Sequence, residues 1–494
     1  MRFRKFFCTV ILTAGMASQA QAFQFRLVGD RLWLKADQTP LHDVLMAFAR
    51  SGVRVQVDPR IDATVTGKLS NEDVEAALGK LLESYGYVLF WDVMKGPLGS
   101  FPKLDEIKVF LPGNEEGVRP LQGVSDNLET ATGPTGGPVF VRDEILLGVK
   151  AGSRLDDLKL LLDQIGGTLV GGLSEIGVYQ VRLPPGTNIP DLVAQLSRNP
   201  LVAHVEPNYV TRVPSAQRQQ GAAGNSAAGQ VSVASPGKDA AAVAILDSGL
   251  LPVSGLDDAV IARFDALNPS RALGDSVGHG TQMAMIAAGA VDPGGLSGEA
   301  GESVPVVAIR AFDDNGNASY YGLMSSIDYA VQQKARVINL SWGSDTDSAF
   351  LSAAVAYAQA KGLIVVAAAG NEATGKAVYP AAYPGVVAVA ALGADGNTWK
   401  NSNYGNFVTL AAPGLASFPV GHNGPPGSYA GTSISSAYTA RALSLYLSQH
   451  PGATGPQAIK ALEQALTDRG TKGRDATFGF GALDQSALGR LLQK

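Results

Sequence analysis

The chain has 494 residues but only one cysteine, Cys8, and five histidines. One thiol cannot close an internal disulfide. Its position inside a leader-like segment also removes a cysteine nucleophile and thiolate metal sites from the mature protein. An excess of charge of one sign is missing too. Lys plus Arg total 39 and Asp plus Glu 44, a net charge of −5, and no basic run suggests a nucleic-acid or anionic-membrane surface. No segment beyond the leader reaches 18 uninterrupted apolar residues, so the sequence offers no spanning helix. Gly and Pro, at 58 and 27, are too few for a collagen-like or low-complexity chain. What remains is globular in composition, 46% apolar and 17% charged, with length for roughly three domains.

Residues 1–22 read as an export signal. Arg2, Arg4 and Lys5 form a positive start, 6–17 an apolar stretch too short to cross a bilayer, and Ala20-Gln21-Ala22 a small-x-small cleavage pattern. Export leaves no membrane anchor and allows a periplasmic, outer-membrane-associated or secreted location.

Three segments separated by two linkers follow. Residues 23–113 alternate strand and helix signals, with amphipathic helices expected at 41–50 and 73–85 and strands at 54–57, 63–69, 87–92 and 107–111. His42 reads as a polar or capping residue. Residues 114–137 are polar and turn-rich, a linker. Residues 138–210 show a β-α-β-β-α-β rhythm that fits an antiparallel sheet with two helices on one face; His204, in the last strand, reads as structural. Residues 211–238 are rich in Ala, Gly, Ser and Gln, a flexible linker where an exposed stretch can be cut.

From 239 to 494 the pattern is strand, loop, helix, repeated. Near-continuous apolar strands at 243–246, 304–310, 337–341, 363–369, 386–392 and 408–411 alternate with helices at 281–290, 321–334, 348–361 and 433–449. This order implies an α/β fold, a parallel sheet with helices on both faces, whose sites lie beyond the carboxyl ends of the strands. Four polar residues fall at such ends. Asp247 closes "VAIL", His279 lies in "GHGT", Asn371 follows "IVVAAAG", and Ser433 lies in "AGTS". A serine attacks an amide only if a base takes its proton, and a carboxylate must hold that base in one tautomer. The oxyanion then needs donors fixed in advance, such as a side-chain amide and an N–H at a helix start. Each residue alone is a common turn residue; together they supply every group the reaction needs.

The order Asp, His, Ser and the motifs "AILDSG", "GHGTQMA", "VINLSWG", "VVAAAGNE" and "AGTSISSA" resemble the subtilases, subtilisin-like serine proteases. The resemblance implies that Asp247, His279 and Ser433 form the triad and that Asn371 and the Ser433 N–H hold the oxyanion. It further implies that Ser341, Trp342 and Gly343, with Ala368, Ala369 and Gly370, line the pocket for the residue before the scissile bond. Substrate would add as a strand along 341–343 and along Gly316–Ser319. Val378 stands where a pocket-floor glycine is common, which predicts a shallow pocket for small or medium apolar residues; Tyr379–Pro380 is a candidate cis bond. By the same likeness 138–210, ending in "LVAHVEPNYV", is a propeptide, an inhibitor and folding aid. Residues 23–113 resemble the short N-terminal domain of secretins and TonB-dependent receptors, which implies docking to an envelope protein.

Departures from the family pattern stand at Gln282, Met285 and Ala437, in the helices that carry His279 and Ser433, and at Trp342, expected to reshape the outer subsites. No cofactor is required. A structural calcium is conceivable at 313–317 or Asp292, but the residues give no clear motif and no metal ligands are assigned. His422 and His450 read as surface residues. The expected function is an exported serine endopeptidase made as a zymogen, acting on polypeptides and restrained by its own propeptide. The alternative is a catalytically silent fold that serves as an envelope binding scaffold.

Overall fold

The structure, a computed structural model, describes residues 23–123, 126–133, 136–215, 217–219, 233–252, 255–269, 271–294 and 303–493. The leader with Cys8 and most of the second linker lie outside the described residues. The chain divides into two compact units, Met1–Val93 with Phe101–Val124, and Met94–Ser100 with Ser125–Lys494.

In the first unit the Leu41–Arg50 helix buries Leu41, Val44, Leu45 and Phe48, one helical face, as the apolar spacing predicts. Asp73 caps the Val74–Leu81 helix by accepting from the Glu75 and Ala76 amides. Strands Gln24–Val28, Arg31–Pro40 and Thr64–Asp73 form one antiparallel sheet. The first two had no sequence counterpart, because Ala36–Pro40 is mostly polar and short of β-branched residues. Arg54–Val57 pairs in parallel with Gly99–Phe110 and is followed by Asp58, whose carboxylate is almost fully buried. Asp58 accepts from the Arg60 guanidinium at 2.7 Å and from the Asn114 amide at 2.7 Å.

In the second unit, strands Thr168–Leu173, Val178–Arg182, Phe140–Val149 and Val202–Arg212 lie side by side in that order, all antiparallel, with helices Leu155–Ile165 and Ile189–Leu196. Glu144 ties the sheet together, accepting from Arg182, from Gln180 at 2.8 Å and from Asn208 at 2.8 Å. Because Arg182 supplies the opposite charge and the fully buried Asn208 a further donor, this carboxylate is tolerated at 2% exposure. The last strand runs through Arg212, two residues into the stretch that composition assigns to a linker.

The remaining chain builds a seven-stranded parallel sheet. Its order is Val260–Asp265, Val306–Arg310, Val243–Asp247, Val337–Leu340, Ile364–Ala368, Val387–Leu392 and Leu410–Pro413. Helices His279–Ala288 and Thr432–Gln449 pack on one face, and Tyr320–Gln332 and Ala349–Ala360 on the other. Leu146 and Val178 of the four-stranded sheet, with Ile176 from the turn before Val178, join the second of these cores. The edge strand Val260–Asp265 was not expected, since an edge exposes Ile261 and Arg263, where the inner strands are buried throughout. The Leu415–Phe418 and Gly427–Ala430 hairpin and the helices Gly455–Ala465 and Gln485–Leu492 were also not anticipated.

The Arg60 side chain, with its backbone N–H and Asn114, holds the Asp58 carboxyl well below the usual carboxylate range. A depressed folded value stabilises the unit above the unfolded value, near pH 4, and that contribution is lost as pH falls through the folded one. The protection factors of the Arg54–Val57 amides, their exchange relative to the unfolded chain at the same pH, should therefore fall on acidification, and Asp58→Asn should lower them at pH 7 while flattening their acid dependence.

Candidate active site

Three adjacent strands, Val243–Asp247, Val337–Leu340 and Ile364–Ala368, end on one side of the sheet and deliver Asp247, Ser341 and the Gly370-Asn371 turn. Asp247 is 1% exposed. One of its oxygens accepts from His279 Nδ1 at 2.8 Å and from the Ser248 amide at 2.7 Å. Its second oxygen is buried and has no hydrogen-bond partner among the described residues. Full desolvation of a carboxylate costs several kcal/mol, so the pair with His279 is what makes Asp247 tenable there.

His279 opens the His279–Ala288 helix, and the start of that helix is fixed by side chains. Asp275 accepts from the Gly278 amide at 2.7 Å and from the Thr281 amide at 2.8 Å, a carboxylate at the positive end of the helix. Gly280 donates to Ser248 Oγ at 2.8 Å, and a Cβ at Gly280 would stand 2.4 Å from the Gly249 carbonyl oxygen. A side chain at 280 would thus drive the helix off the Asp247–Gly249 loop and pull His279 away from Asp247.

Ser433 is the second residue of the Thr432–Gln449 helix and is 3% exposed. Its Oγ donates to the Ser341 carbonyl at 3.0 Å. Asn371 Oδ1 accepts from the Thr432 amide at 3.0 Å and from Thr432 Oγ1 at 2.8 Å, which commits the oxygen end of the amide to the helix start and keeps its N–H donors out of that contact. Thr432 therefore orients Asn371, a role sequence reading did not assign to the threonine of "AGTS".

Two of the expected cleft segments are engaged by the chain itself. Val210, Thr211 and Arg212 pair antiparallel with Ser319, Ala318 and Asn317, and the Val213 amide donates to the Gly316 carbonyl at 2.9 Å. Thr211 Oγ1 donates to the Gly343 carbonyl at 3.2 Å. Upstream, Ser348 Oγ donates to Glu206, and Asn208 accepts from the Tyr321 amide at 3.1 Å, so two helix starts are held by one strand. Beyond Gly343, the Val378 side chain lies between the two pocket segments: a Cβ on Gly343 would be 2.4 Å from it and one on Gly370 3.4 Å. Ala368 and Ala369 are buried, and the Ala369 carbonyl accepts from Asn403 at 3.1 Å. Tyr379–Pro380 is cis.

Two expectations are corrected. The Trp342 side chain is 1% exposed and donates to the Leu246 carbonyl at 3.1 Å, so only its backbone can line a cleft; it packs in the core on the Tyr320–Gln332 side of the sheet. His422 is not on the surface. It is 5% exposed and packs on His279 with ring centroids 4.8 Å apart. The loop that carries it is clamped by Gln282, which donates to the Val420 carbonyl at 2.7 Å, and by Asn423, whose amide donates to Val277 at 2.9 Å. Burial, with the charge of His279 second, pushes His422 down to about 3, so it faces the base as a neutral ring. No sequence pattern marks it. Met285 and Ala437 are fully buried in one core and displace no reacting group.

The acidic residues at the two places considered for calcium have protein partners. Asp313 accepts from the Asn315, Asn317 and Leu128 amides, and Asp292 pairs with the Arg441 guanidinium at 2.6 Å. Among the described residues no three His, Cys, Asp or Glu side chains gather as a metal site.

Comparison with known proteins gives a consistent result. Residues 238–481 match the Subtilase family, and residues 127–208 match the fervidolysin N-terminal prodomain. The Minor extracellular protease Epr of Bacillus subtilis is 32% identical over 246 residues, 50% of this chain and 38% of that protein. The Thermophilic serine proteinase of Bacillus sp. strain AK1 is 30% identical over 353 residues, 70% of this chain and 86% of that one. The crystal structure of fervidolysin from Fervidobacterium pennivorans shares the fold, with a TM-score of 0.57 at 23% identity over 75% of this chain and 64% of its own.

If the buried pair sets the tautomer of the base, Asp247→Asn should keep the fold and lower kcat on the order of 10⁴-fold. Asn371→Ala should lower it on the order of 10²–10³-fold with KM little changed. Steady-state kinetics on a peptide substrate, with circular dichroism as the control for folding, checks both.

Proposed function

The chain belongs to the subtilase family, and we propose that it works as an exported serine endopeptidase made as a zymogen. Ser433 Oγ attacks the scissile carbonyl carbon and passes its proton to His279, which returns it to the leaving amine. Asp247 holds the ring and balances its charge, and Asn371 with the Ser433 amide receives the oxyanion. Water then repeats the sequence on the acyl-enzyme and frees the acid. No step calls for a cofactor. The observation that carries this reading is the buried 2.8 Å contact between Asp247 and His279, beside the helix that starts with Thr432 and Ser433.

Substrates are extended polypeptides, which add by main-chain hydrogen bonds along Gly316–Ser319 and 341–343. Val378 keeps the pocket beside Gly343 and Gly370 shallow, so small or medium apolar residues are preferred before the cut. The 138–210 domain blocks the cleft until it is cut away. Residues 1–22 direct export, and 23–113 dock the enzyme to an envelope protein, as the secretin and TonB likeness implies, in a periplasmic or outer-membrane setting. Among the described residues no helix is long and apolar enough to cross a membrane.

Hydrolysis of an unfolded polypeptide by the exported chain tests the reading. Ser433→Ala should lower kcat on the order of 10⁶-fold, and an unchanged rate would contradict it. Val378→Gly should raise kcat/KM for an aromatic residue before the cut, relative to alanine, by roughly 10-fold or more. Equal ratios in the two enzymes would show that Val378 does not limit the pocket.

A further inference from the structure

Beside the base stands a side chain that the reaction above does not use. His422 lies on the loop that joins the strands Leu415–Phe418 and Gly427–Ala430. Its ring is 5% exposed and rests on the His279 ring at a centroid distance of 4.8 Å, tilted by 51°. Three contacts hold the loop there. The Gln282 side chain donates to the Val420 carbonyl at 2.7 Å, the Asn423 amide to the Val277 carbonyl at 2.9 Å, and the His422 amide to Tyr429 Oη at 3.2 Å. Tyr429 Oη in turn donates to the Pro425 carbonyl at 2.6 Å, which closes the loop on itself. Two of the contacts thus fall on either side of His279, at 277 and 282. The backbones also meet closely, since a Cβ on Gly278 would stand 1.9 Å from the Gly421 carbonyl oxygen.

This placement has a cost. His422 Nε2 is buried and makes no hydrogen bond among the described residues. A buried nitrogen without a partner disfavours the fold, where an apolar side chain of similar size would not. Burial, with the charge of His279 second, pushes His422 down to about 3. No second cation therefore opposes His279 when it takes the Ser433 proton. The charged groups on the surrounding elements leave this arrangement intact. Asp247 bonds Nδ1 of the base, Asp275 is taken up by the Gly278 and Thr281 amides, and Asp314 accepts from Ser276 Oγ at 2.8 Å. Arg218 reaches the Pro426 carbonyl at 3.4 Å, and Arg441 stands by Gly289, at the far end of the helix that His279 opens.

We propose that His422 is a positioning residue for the reaction: its uncharged ring walls off one face of His279, holds that ring on Asp247 and keeps water from it. This rests on the peptidase reading above. A histidine side chain has three staggered settings about Cα–Cβ, and the 2.8 Å bond to Asp247 is made in one of them. With His422 at 4.8 Å and only 3% of His279 exposed, a turn toward that side would meet the second ring. Excluding water also disfavours the imidazolium, so the base is free of its proton at lower pH than an open imidazole. Gln282, one of the departures from the family pattern, belongs to the same device, because it fixes the loop that carries His422.

The test follows kcat and KM against pH on a peptide p-nitroanilide, each enzyme freed of the 138–210 domain and checked for folding by circular dichroism. Wild type is compared with His422→Ala, His422→Leu and Gln282→Met. His422→Ala should lower kcat roughly 10- to 100-fold with KM little changed, and move the acid limb of kcat/KM up by about one pH unit. Leucine refills the space without a nitrogen, so His422→Leu should recover most of kcat and return the limb toward its wild-type position. Gln282→Met loses the bond to Val420 at similar volume and should act as His422→Ala does, more weakly. It carries the test if the alanine variant does not fold. Wild-type kcat and acid limb in folded His422→Ala, or in Gln282→Met where only that variant folds, overturn the proposal. So does a loss confined to KM, a fall in kcat with the limb unmoved, or a leucine variant no better than alanine. A wild type that hydrolyses nothing at any pH overturns the peptidase reading instead.

Discussion

Everything in the catalytic half depends on placing a carboxylate where water cannot reach it. Asp247, at the end of a central strand, pairs with an imidazole that is 3% exposed, and each group makes the burial of the other tolerable. Removing His279 would leave an uncompensated buried charge, a loss of about 3–5 kcal/mol. The surroundings serve that contact. Asp275 pins the start of the helix, Gly280 lets it touch the Asp247 loop, and Gln282 draws in the loop that lays His422 on the base. The parallel sheet gives this small cluster a rigid frame, because its strand ends cannot move without breaking the ladder on both sides.

The same frame explains how restraint is built in. A cleft that binds extended chain through main-chain groups accepts any suitable strand, its own included. The strand Val202–Arg212 begins in the four-stranded sheet and finishes in the cleft, so one element belongs to both folding units of the zymogen. Glu206 and Asn208 bond at the starts of the Ala349–Ala360 and Tyr320–Gln332 helices, where partial positive charge gathers. Docking and blocking thus come from consecutive residues of one strand.

How much of this the sequence discloses depends on what each feature rests on. Fully buried parallel strands are apolar runs, so the sheet centre was legible, and Asp247, Asn371 and Ser433 lie at the element ends where the runs stop. Val260–Asp265 was not legible, because an edge strand alternates exposed and buried residues and carries a charge. His422 was misread for a different reason: its burial depends on a loop drawn against the base by Gln282 and Val277, which no local pattern encodes. Trp342 was misplaced because its burial rests on a bond to the Leu246 carbonyl of a neighbouring strand, a partner nearly a hundred residues away. The stretch after 210 looks like a linker because its composition is rich in Ala, Gly, Ser and Gln, yet its main chain pairs with Gly316–Ser319 and with Ser428 and Ala430.

The central claim is that the buried pair turns one serine out of many into a nucleophile. A fluorophosphonate bonds only to a serine so activated, and peptide mass mapping locates the adduct. The account predicts a single adduct on Ser433 in the processed wild-type chain and none in folded His279→Ala. A folded, processed wild type that takes no label, or takes it on another serine, would contradict the account.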